Sequence, residues 1–224
     1  MMNRLFAIGD IHGCFRTFYE LVNIHIRPEK SDRLILLGDY IDRGPGIREV
    51  VDYIMELIEM GFKITPLMGN HEWMLVNSYD DSHMLPLWYL NEGMTTLESF
   101  GIANIRNIEN KYLKFFRNLI YYEKEGDFYF VHAGFNDELE DPFSDKEAML
   151  WESRLLYSNP VFAGKTIVHG HRPKLLEYSR KLVKGKSQVI PIDTGCVYVQ
   201  EMNYGYLSAL DVGNMELISV ASID

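Results

Sequence analysis

The sequence predicts a mixed α/β fold, and three observations indicate it. Short apolar runs at residues 4–9, 32–38 and 62–68 lead into Gly-Asp, Gly-Asp and Gly-Asn. Amphipathic helical patterns lie between these runs, with apolar residues spaced i, i+3 and i+4. The 224-residue chain is 47% hydrophobic and 24% charged, as is typical of a globular domain. Together these observations predict a βαβαβ unit with parallel strands and right-handed crossovers.

The individual elements follow in chain order. Apolar periodicity predicts a first helix over residues 15–25 and a second over 50–58, with Gly61 as its C-terminal cap. Residues 73–125 lose the alternation and carry helical fragments, so we expect a helical insertion there. Further strands are predicted at 128–132, 166–169, 188–192, 206–212 and 216–220.

Little helix is expected between these later strands, which predicts a mixed sheet packed on the first. The exception is a helix that Ser144 opens as a capping box with Glu147 and that extends to about residue 157. We find no linker or repeat, and we therefore expect a single domain over residues 1–224.

Composition excludes several classes of protein. The net charge of −10 disfavours binding to a nucleic-acid polymer or an anionic membrane. No apolar run approaches the ~18 residues of a membrane span, and the apolar segment at the start is too short for a signal peptide. Two cysteines make no disulfide framework. We expect a cytoplasmic protein.

Polar side chains with metal-ligand chemistry follow the predicted strands. Any one of these residues, taken alone, would be interpreted as a helix cap or a hydrogen-bonded core residue. Together, however, they lie at the ends of several strands, which is where ligands bind in α/β sheets. The candidate ligands are Asp10, His12, Asp39, Asn70, His132 and His171. Two carboxylates, three imidazoles and one amide suit Mn, Fe or Zn, and an anionic carboxylate can bridge two ions.

Five motifs occur in order: GDIHG at 9–13, GDYIDRG at 38–44, GNHE at 69–72, HAG at 132–134 and GH at 170–171. In this the sequence resembles the phosphoprotein phosphatase branch of the calcineurin-like metallophosphoesterases. The resemblance covers residues 5–212 and implies a four-layer α/β/β/α sandwich with the helical insertion at about 73–125.

The resemblance also implies roles for individual residues. Asp10 and His12 would hold one metal, Asp39 would bridge two, and Asn70, His132 and His171 would complete the second site. It implies two divalent ions, with Mn²⁺ expected first and Fe or Zn as alternatives, and one-step attack by a metal-bridging hydroxide.

The same resemblance implies an acid and a phosphate clamp. His71 matches the general acid, Asp42 the carboxylate that orients it, and Arg43 an arginine that grips the phosphate. For a second clamp we expect Arg154, which would share a helix face with Leu150 and Trp151; the alternative is a structural ion pair.

The substrate is less determined than the chemistry. The motifs favour a serine/threonine protein phosphatase acting on a phosphorylated protein. The alternative is a symmetrical diadenosine tetraphosphate hydrolase acting on a dinucleoside polyphosphate, and a catalytically silent binding module is a third interpretation. Aromatic residues of the insertion, including Trp88, could stack on adenine or belong to the core. A basic run at 172–186 could bind additional phosphates or be a solvated loop.

Overall fold

The computed structural model describes residues 3–224, which form two β-sheets covered by helices. The strands are β1 (Leu5–Ile8), β2 (Arg33–Leu36), β3 (Lys63–Pro66), β4 (Tyr122–Glu125), β5 (Phe128–Val131), β6 (Thr166–His169), β7 (Val189–Pro191), β8 (Tyr206–Asp211) and β9 (Glu216–Ala221). The first sheet has the order β3-β2-β1-β8-β9, and the second has the order β4-β5-β6-β7.

Both sheets are mixed. Strands β1, β2 and β3 pair in parallel, which confirms the predicted βαβαβ unit, and β8 and β9 add to β1 as antiparallel strands. In the second sheet β5, β6 and β7 are parallel, and β4 is an antiparallel edge strand. The carboxyl ends of the parallel strands are therefore available to collect polar side chains from several loops.

The helices pack on the outer faces. They are α1 (Phe15–Glu20), α2 (Ile47–Glu59), α3 (Asn70–Asp80), α4 (Leu85–Leu90), α5 (Gly93–Phe100), α6 (Asn110–Arg117), α7 (Lys146–Trp151) and α8 (Leu176–Lys184). A π-helix, Leu21–Ile26, continues α1, and Gly61 follows α2 with a φ of +85°, as its predicted capping role requires. No helix within residues 3–224 has the length and apolar character needed to cross a bilayer.

Side-chain alternation along the strands builds four layers. In β1, Phe6 and Ile8 pack beneath the helices of the N-terminal half, whereas Ala7 points into a core between the two sheets. In β5, Phe130 joins that inter-sheet core, and Tyr129 packs on the outer face with residues of α7. The predicted α/β/β/α sandwich is confirmed.

Four expectations were wrong. The later strands do not all form a second sheet, because β8 pairs with β1 and, with β9, extends the first sheet. Helix α8 lies between β6 and β7, where little helix was expected, because Leu176, Ser179 and Val183 supply a buried face within the basic run. The segment expected to be a helical insertion also contains β4. Helix α7 is capped by Asp145 rather than a Ser144 capping box, and it ends at Trp151 instead of continuing to about residue 157.

A buried carboxylate fixes the start of the β1–β2 pair. Asp32 is 3% exposed, and it accepts hydrogen bonds from the Arg4 backbone N–H at 2.9 Å, the Arg4 guanidinium at 2.6 Å and the Glu29 N–H at 2.8 Å. Burial opposes its ionisation, but these donors outweigh burial and lower the pKa of Asp32 below its usual value.

We expect Asp32→Asn to lower the free energy of unfolding at pH 7 by about 1–3 kcal/mol, since it breaks charge-assisted hydrogen bonds. Because the folded pKa is the lower one, this contribution is full above the unfolded pKa of ~3.9 and is lost as the pH falls through the folded value. Urea unfolding at several pH values measures it. Asp127→Asn, at an exposed pair with Lys165, is the control and should change stability little. Equal stability of D32N and wild type at pH 7 would contradict the prediction.

Candidate metal centre

The carboxylate of Asp39 lies at the centre of the converging strand ends. Its Oδ2 lies 3.3 Å from His12 Nε2 and 3.9 Å from His71 Nε2, and its Oδ1 lies 3.5 Å from His132 Nε2. The loops after β1, β2, β3 and β5 thus supply side chains to one point. This convergence was expected from the sequence because each of these residues comes soon after the carboxyl end of a predicted strand.

Two groups of metal-ligating side chains share Asp39. One contains His12, Asp39 and His71, the other contains Asp39, His132 and His171, and within each group the ligand atoms lie within 4.8 Å of one another. A carboxylate common to two such groups is suited to bridge two cations.

The oxygen ligands proposed from the sequence lie at the same place. Asn70 Oδ1 is 2.8 Å from His132 Nε2 and 3.2 Å from His171 Nδ1. Asp10 Oδ2 accepts the His171 backbone N–H at 2.9 Å, whereas its buried Oδ1 has no hydrogen-bond partner. A buried carboxylate oxygen without a donor is costly, and a cation would satisfy it. The donor set therefore fits divalent metal ions.

Hydrogen bonds orient two of the imidazoles for this purpose. The Nδ1 atoms of His12 and His132 lie 2.8 Å from the carbonyl oxygens of Ile41 and Leu37. When Nδ1 carries the proton and donates to a carbonyl, the Nε2 lone pair is left for a metal. Both Nε2 atoms point towards Asp39.

Burial sets the charge state of the centre. It lowers the pKa of His12 to about 4, with the Arg43 charge acting in the same direction, and lowers the pKa of His171 to about 3, with His132 adding to it. These imidazoles are therefore neutral at pH 7, as metal ligation requires. Burial opposes ionisation of Asp39, but the surrounding histidines outweigh it and hold the pKa of Asp39 well below its usual value.

His71 and Asp42 form a buried dyad beside the centre. His71 Nδ1 lies 2.6 Å from Asp42 Oδ2. Burial alone would lower the pKa of His71, but the charges of Asp39 and Asp42 raise it above its usual value. A protonated imidazole held in this way can donate a proton from Nε2.

Arg43 reaches over the centre from the same loop. Its guanidinium nitrogens lie 2.6 Å from His12 Nε2 and 3.0 Å from His71 Nε2. The Tyr198 ring covers the guanidinium, with 5.6 Å between Cζ and the ring centroid. A metal on His12 Nε2 would displace the guanidinium from that nitrogen, which would free it for an anion.

Strained backbone is concentrated in these loops. Residues His12, Asp39, Asp42, Arg43 and His171 adopt φ values of +43°, +53°, +66°, +74° and +67°. Non-glycine residues rarely adopt left-handed conformations, and such strain persists where the surroundings determine it and where function uses it.

The sequence reasoning gave no role to Glu72, the last residue of the third motif. Its buried carboxylate accepts the backbone N–H groups of Asp39 at 2.9 Å, Tyr40 at 2.7 Å and Gly69 at 3.1 Å. Burial and the Asp39 charge raise the pKa of Glu72 to about 8. The sequence could have indicated a role for Glu72, because it directly follows Asn70 and His71 in the same motif.

Asp193 was also missed. It is 4% exposed, its Oδ1 accepts the Gly195 N–H at 2.9 Å, and its charge raises the pKa of Asp10 after the larger effect of burial. Burial raises the pKa of Asp193 itself to about 7. The sequence did carry a signal, because this Asp follows an apolar run, as Asp10 and Asp39 do.

Arg154 lies in a different setting from the expected one. Since α7 ends at Trp151, Arg154 lies beyond the helix and shares no helix face with Leu150. Its guanidinium pairs with Glu152 and lies 3.4 Å from Glu138. The neighbouring Trp151 instead faces the centre, with its ring 6.0 Å from that of His171. These contacts match the structural ion pair that was the alternative for Arg154, and its role in binding phosphate stays a prediction.

The chain is similar to known proteins over most of its length. A profile of the family described as calcineurin-like phosphoesterases matches residues 4–194. A symmetrical bis(5'-nucleosyl)-tetraphosphatase of Nitrosospira multiformis is 30% identical over 133 residues, which are 58% of this chain and 43% of that protein. An asymmetrical bis(5'-nucleosyl)-tetraphosphatase of Anoxybacillus flavithermus is 26% identical across 96% of this chain and 93% of its own length.

Solved structures of similar fold cover almost the whole chain. A protein described provisionally as a diadenosine tetraphosphatase has a TM-score of 0.69 at 21% identity, covering 99% of this chain and 95% of that one. A serine/threonine phosphatase of Saccharomyces cerevisiae has a TM-score of 0.66 at 14% identity, covering 98% and 79%. At these identities the likeness shows the shared fold.

We expect Asp39→Asn to abolish binding at both metal positions, since it removes the anionic ligand common to the two groups. Elemental analysis after dialysis against Mn²⁺ should find about two ions per wild-type chain and fewer than one per D39N chain. Asp127→Asn, remote from the centre, is the control and should retain the wild-type content. Two ions bound to folded D39N would refute the bridging role.

Proposed function

Since the chain belongs to the calcineurin-like phosphoesterase family, a family of phosphoric ester hydrolases, we propose that it hydrolyses dinucleoside tetraphosphates. Relatives that match it along part or nearly all of its length are named for that activity. The proposal adopts the alternative from the sequence and sets the serine/threonine protein phosphatase second, because that likeness is to a solved structure at 14% identity.

One observation on the site carries the substrate class. Tyr198 places an aromatic face against Arg43, which the family resemblance makes a phosphate clamp. The guanidinium lies over one face of the ring, so the exposed part of the ring would be left to stack on a base while the guanidinium pairs with a phosphate. Tyr198 is half-buried, so part of its ring is open to a ligand.

Cations suited to additional phosphates lie at the catalytic edge. Arg172 directly follows His171, and its side chain is exposed. Lys181 and Lys184 lie elsewhere, because α8 runs back along the sheet before β7 starts at Val189 in parallel with β6. The basic run at 172–186 is therefore split between two places in the fold. Only its first residues can face a polyphosphate held at the centre.

Each side chain has a definable task in this proposal. Bound metal ions would supply a nucleophile near neutral pH and neutralise charge on the phosphate. Asp10, His12, Asp39, Asn70, His132 and His171 would hold them. Arg43 stabilises the charge that develops on the equatorial oxygens, and His71, oriented by Asp42, donates a proton to the departing oxygen.

With Mn²⁺ supplied, we expect kcat/KM for diadenosine tetraphosphate to exceed that for a phosphothreonine peptide by at least about tenfold, or ~1.4 kcal/mol of transition-state binding. Chromatography of the products resolves the position of cleavage: ADP alone means symmetrical hydrolysis, and ATP with AMP means asymmetrical hydrolysis. A preference for the peptide would restore the protein phosphatase. Zn²⁺ and Fe²⁺ in parallel would identify the preferred ion.

We expect Tyr198→Ala to raise KM for diadenosine tetraphosphate about tenfold, since stacking on a base contributes ~1–3 kcal/mol. Inorganic tripolyphosphate, which has no base, is the matched ligand, and its inhibition constant should stay unchanged. Tyr198→Phe keeps the stacking face and should behave as wild type, as should Tyr178→Ala on α8. If Y198A weakened both ligands equally, Tyr198 would be acting on Arg43 rather than on a base.

A further inference from the structure

The Asp42 carboxylate receives hydrogen bonds from two side chains of the helical insertion. Thr96 Oγ1 donates to Asp42 Oδ1 at 2.5 Å, and Trp88 Nε1 lies 3.0 Å from Oδ2 and 3.2 Å from Oδ1. The remaining contact is His71 Nδ1 at 2.6 Å from Oδ2. Asp42 is fully buried, so these protein donors replace water around its charge.

The same segment also fixes the backbone that carries Asp42. Thr96 Oγ1 accepts the Asp42 N–H at 3.1 Å while it donates to the Asp42 carboxylate, so that one hydroxyl holds both ends of the residue. Thr95 Oγ1 accepts the Arg43 N–H at 2.8 Å. Since Asp42 and Arg43 are in the left-handed region, these bonds stabilise a turn that the chain would otherwise avoid.

Trp88 is locked in place by its surroundings. The side chain is completely buried, and Gly93 at the start of α5 lies flat against the indole, where a Cβ would meet ring atoms at 2.5 Å. A buried indole held in this way offers no face to an adenine. Its N–H is therefore used inside the protein, and Asp42 is the group that receives it.

We propose that Thr96 and Trp88 are positioning residues for the general acid: they orient the Asp42 carboxylate, and through it they fix the ring and tautomer of His71. Both donors are uncharged, so they orient the carboxylate without neutralising the charge that the imidazolium pairs with. With Asp42 accepting from Nδ1, the other ring N–H of His71 is directed at the departing oxygen. The inference rests on the hydrolase function proposed above, and the effect should be largest on esters whose departing oxygen is basic and smaller when a nucleoside phosphate departs.

Leaving-group dependence separates this role from a purely structural one. A general acid matters more for phenyl phosphate, whose departing oxygen is basic, than for p-nitrophenyl phosphate. We expect Thr96→Val, which keeps the shape but lacks the hydroxyl, to lose about tenfold more kcat on phenyl phosphate than on p-nitrophenyl phosphate. Thr96→Ser restores the hydroxyl and should recover both activities. Trp88→Phe should follow T96V, and Trp73→Phe on α3 is its control.

A second readout does not require turnover of either ester. In the Zn²⁺-loaded full chain with ¹⁵N-labelled histidine, the His71 Nδ1–H bonded to Asp42 should give a downfield proton resonance, assigned by its loss in His71→Asn. We expect T96V to shift or broaden it and T96S to preserve it. An equal loss of activity on both esters, or an unchanged His71 resonance in folded T96V, would overturn the proposal.

Discussion

The centre depends on one buried interaction, the acceptance of backbone N–H groups by the Glu72 carboxylate. Asp39, Tyr40 and Ile41 donate from the loop after β2, and Gly69 donates from the start of α3. Few other groups could stabilise a loop in which Asp39 is left-handed and whose N–H groups are out of contact with water. Asp39 is the residue shared by both groups of candidate metal ligands. The hydrogen bonds that fix the Asp39 backbone therefore also fix the point around which the other proposed ligands are arranged.

Buried carboxylates around the centre divide by what their oxygens contact. Glu72 and Asp42 have both oxygens occupied by protein donors, and they act on other residues. Asp10 keeps one buried oxygen without a partner, and Asp39 faces imidazoles whose outer nitrogens are already used. The first type suits positioning and the second suits cation binding, because a satisfied carboxylate has little to gain from a metal.

In the proposed function, the helical insertion supports the general acid. Helix α3 leads into the insertion and carries Asn70 and His71 just before it, and α4 and α5 hold Asp42 and Arg43 from the other side. Arg43 is flanked by Glu92, 3.9 Å from the guanidinium, and by Tyr198 from the loop after β7. We therefore expect the side chains around Arg43 to select among substrates, whereas the buried residues set the chemistry.

Sequence alone determined the first parallel strands and the set of side chains at the strand ends, since each is encoded by neighbouring residues. The four layers were an expectation from the family resemblance. Gly-Asp after a short apolar run needs no distant partner to be recognised. Only the tertiary structure showed which side chains contact the site residues, because contacting residues are far apart along the chain. Trp88 and Thr96, which bind the Asp42 carboxylate, lie 46 and 54 residues from it. The ion pairs of Arg154 form because α7 ends at Trp151, and Lys181 lies away from the centre because of the direction of α8. Tertiary packing determines both features, and the local spacing of residues does not encode them.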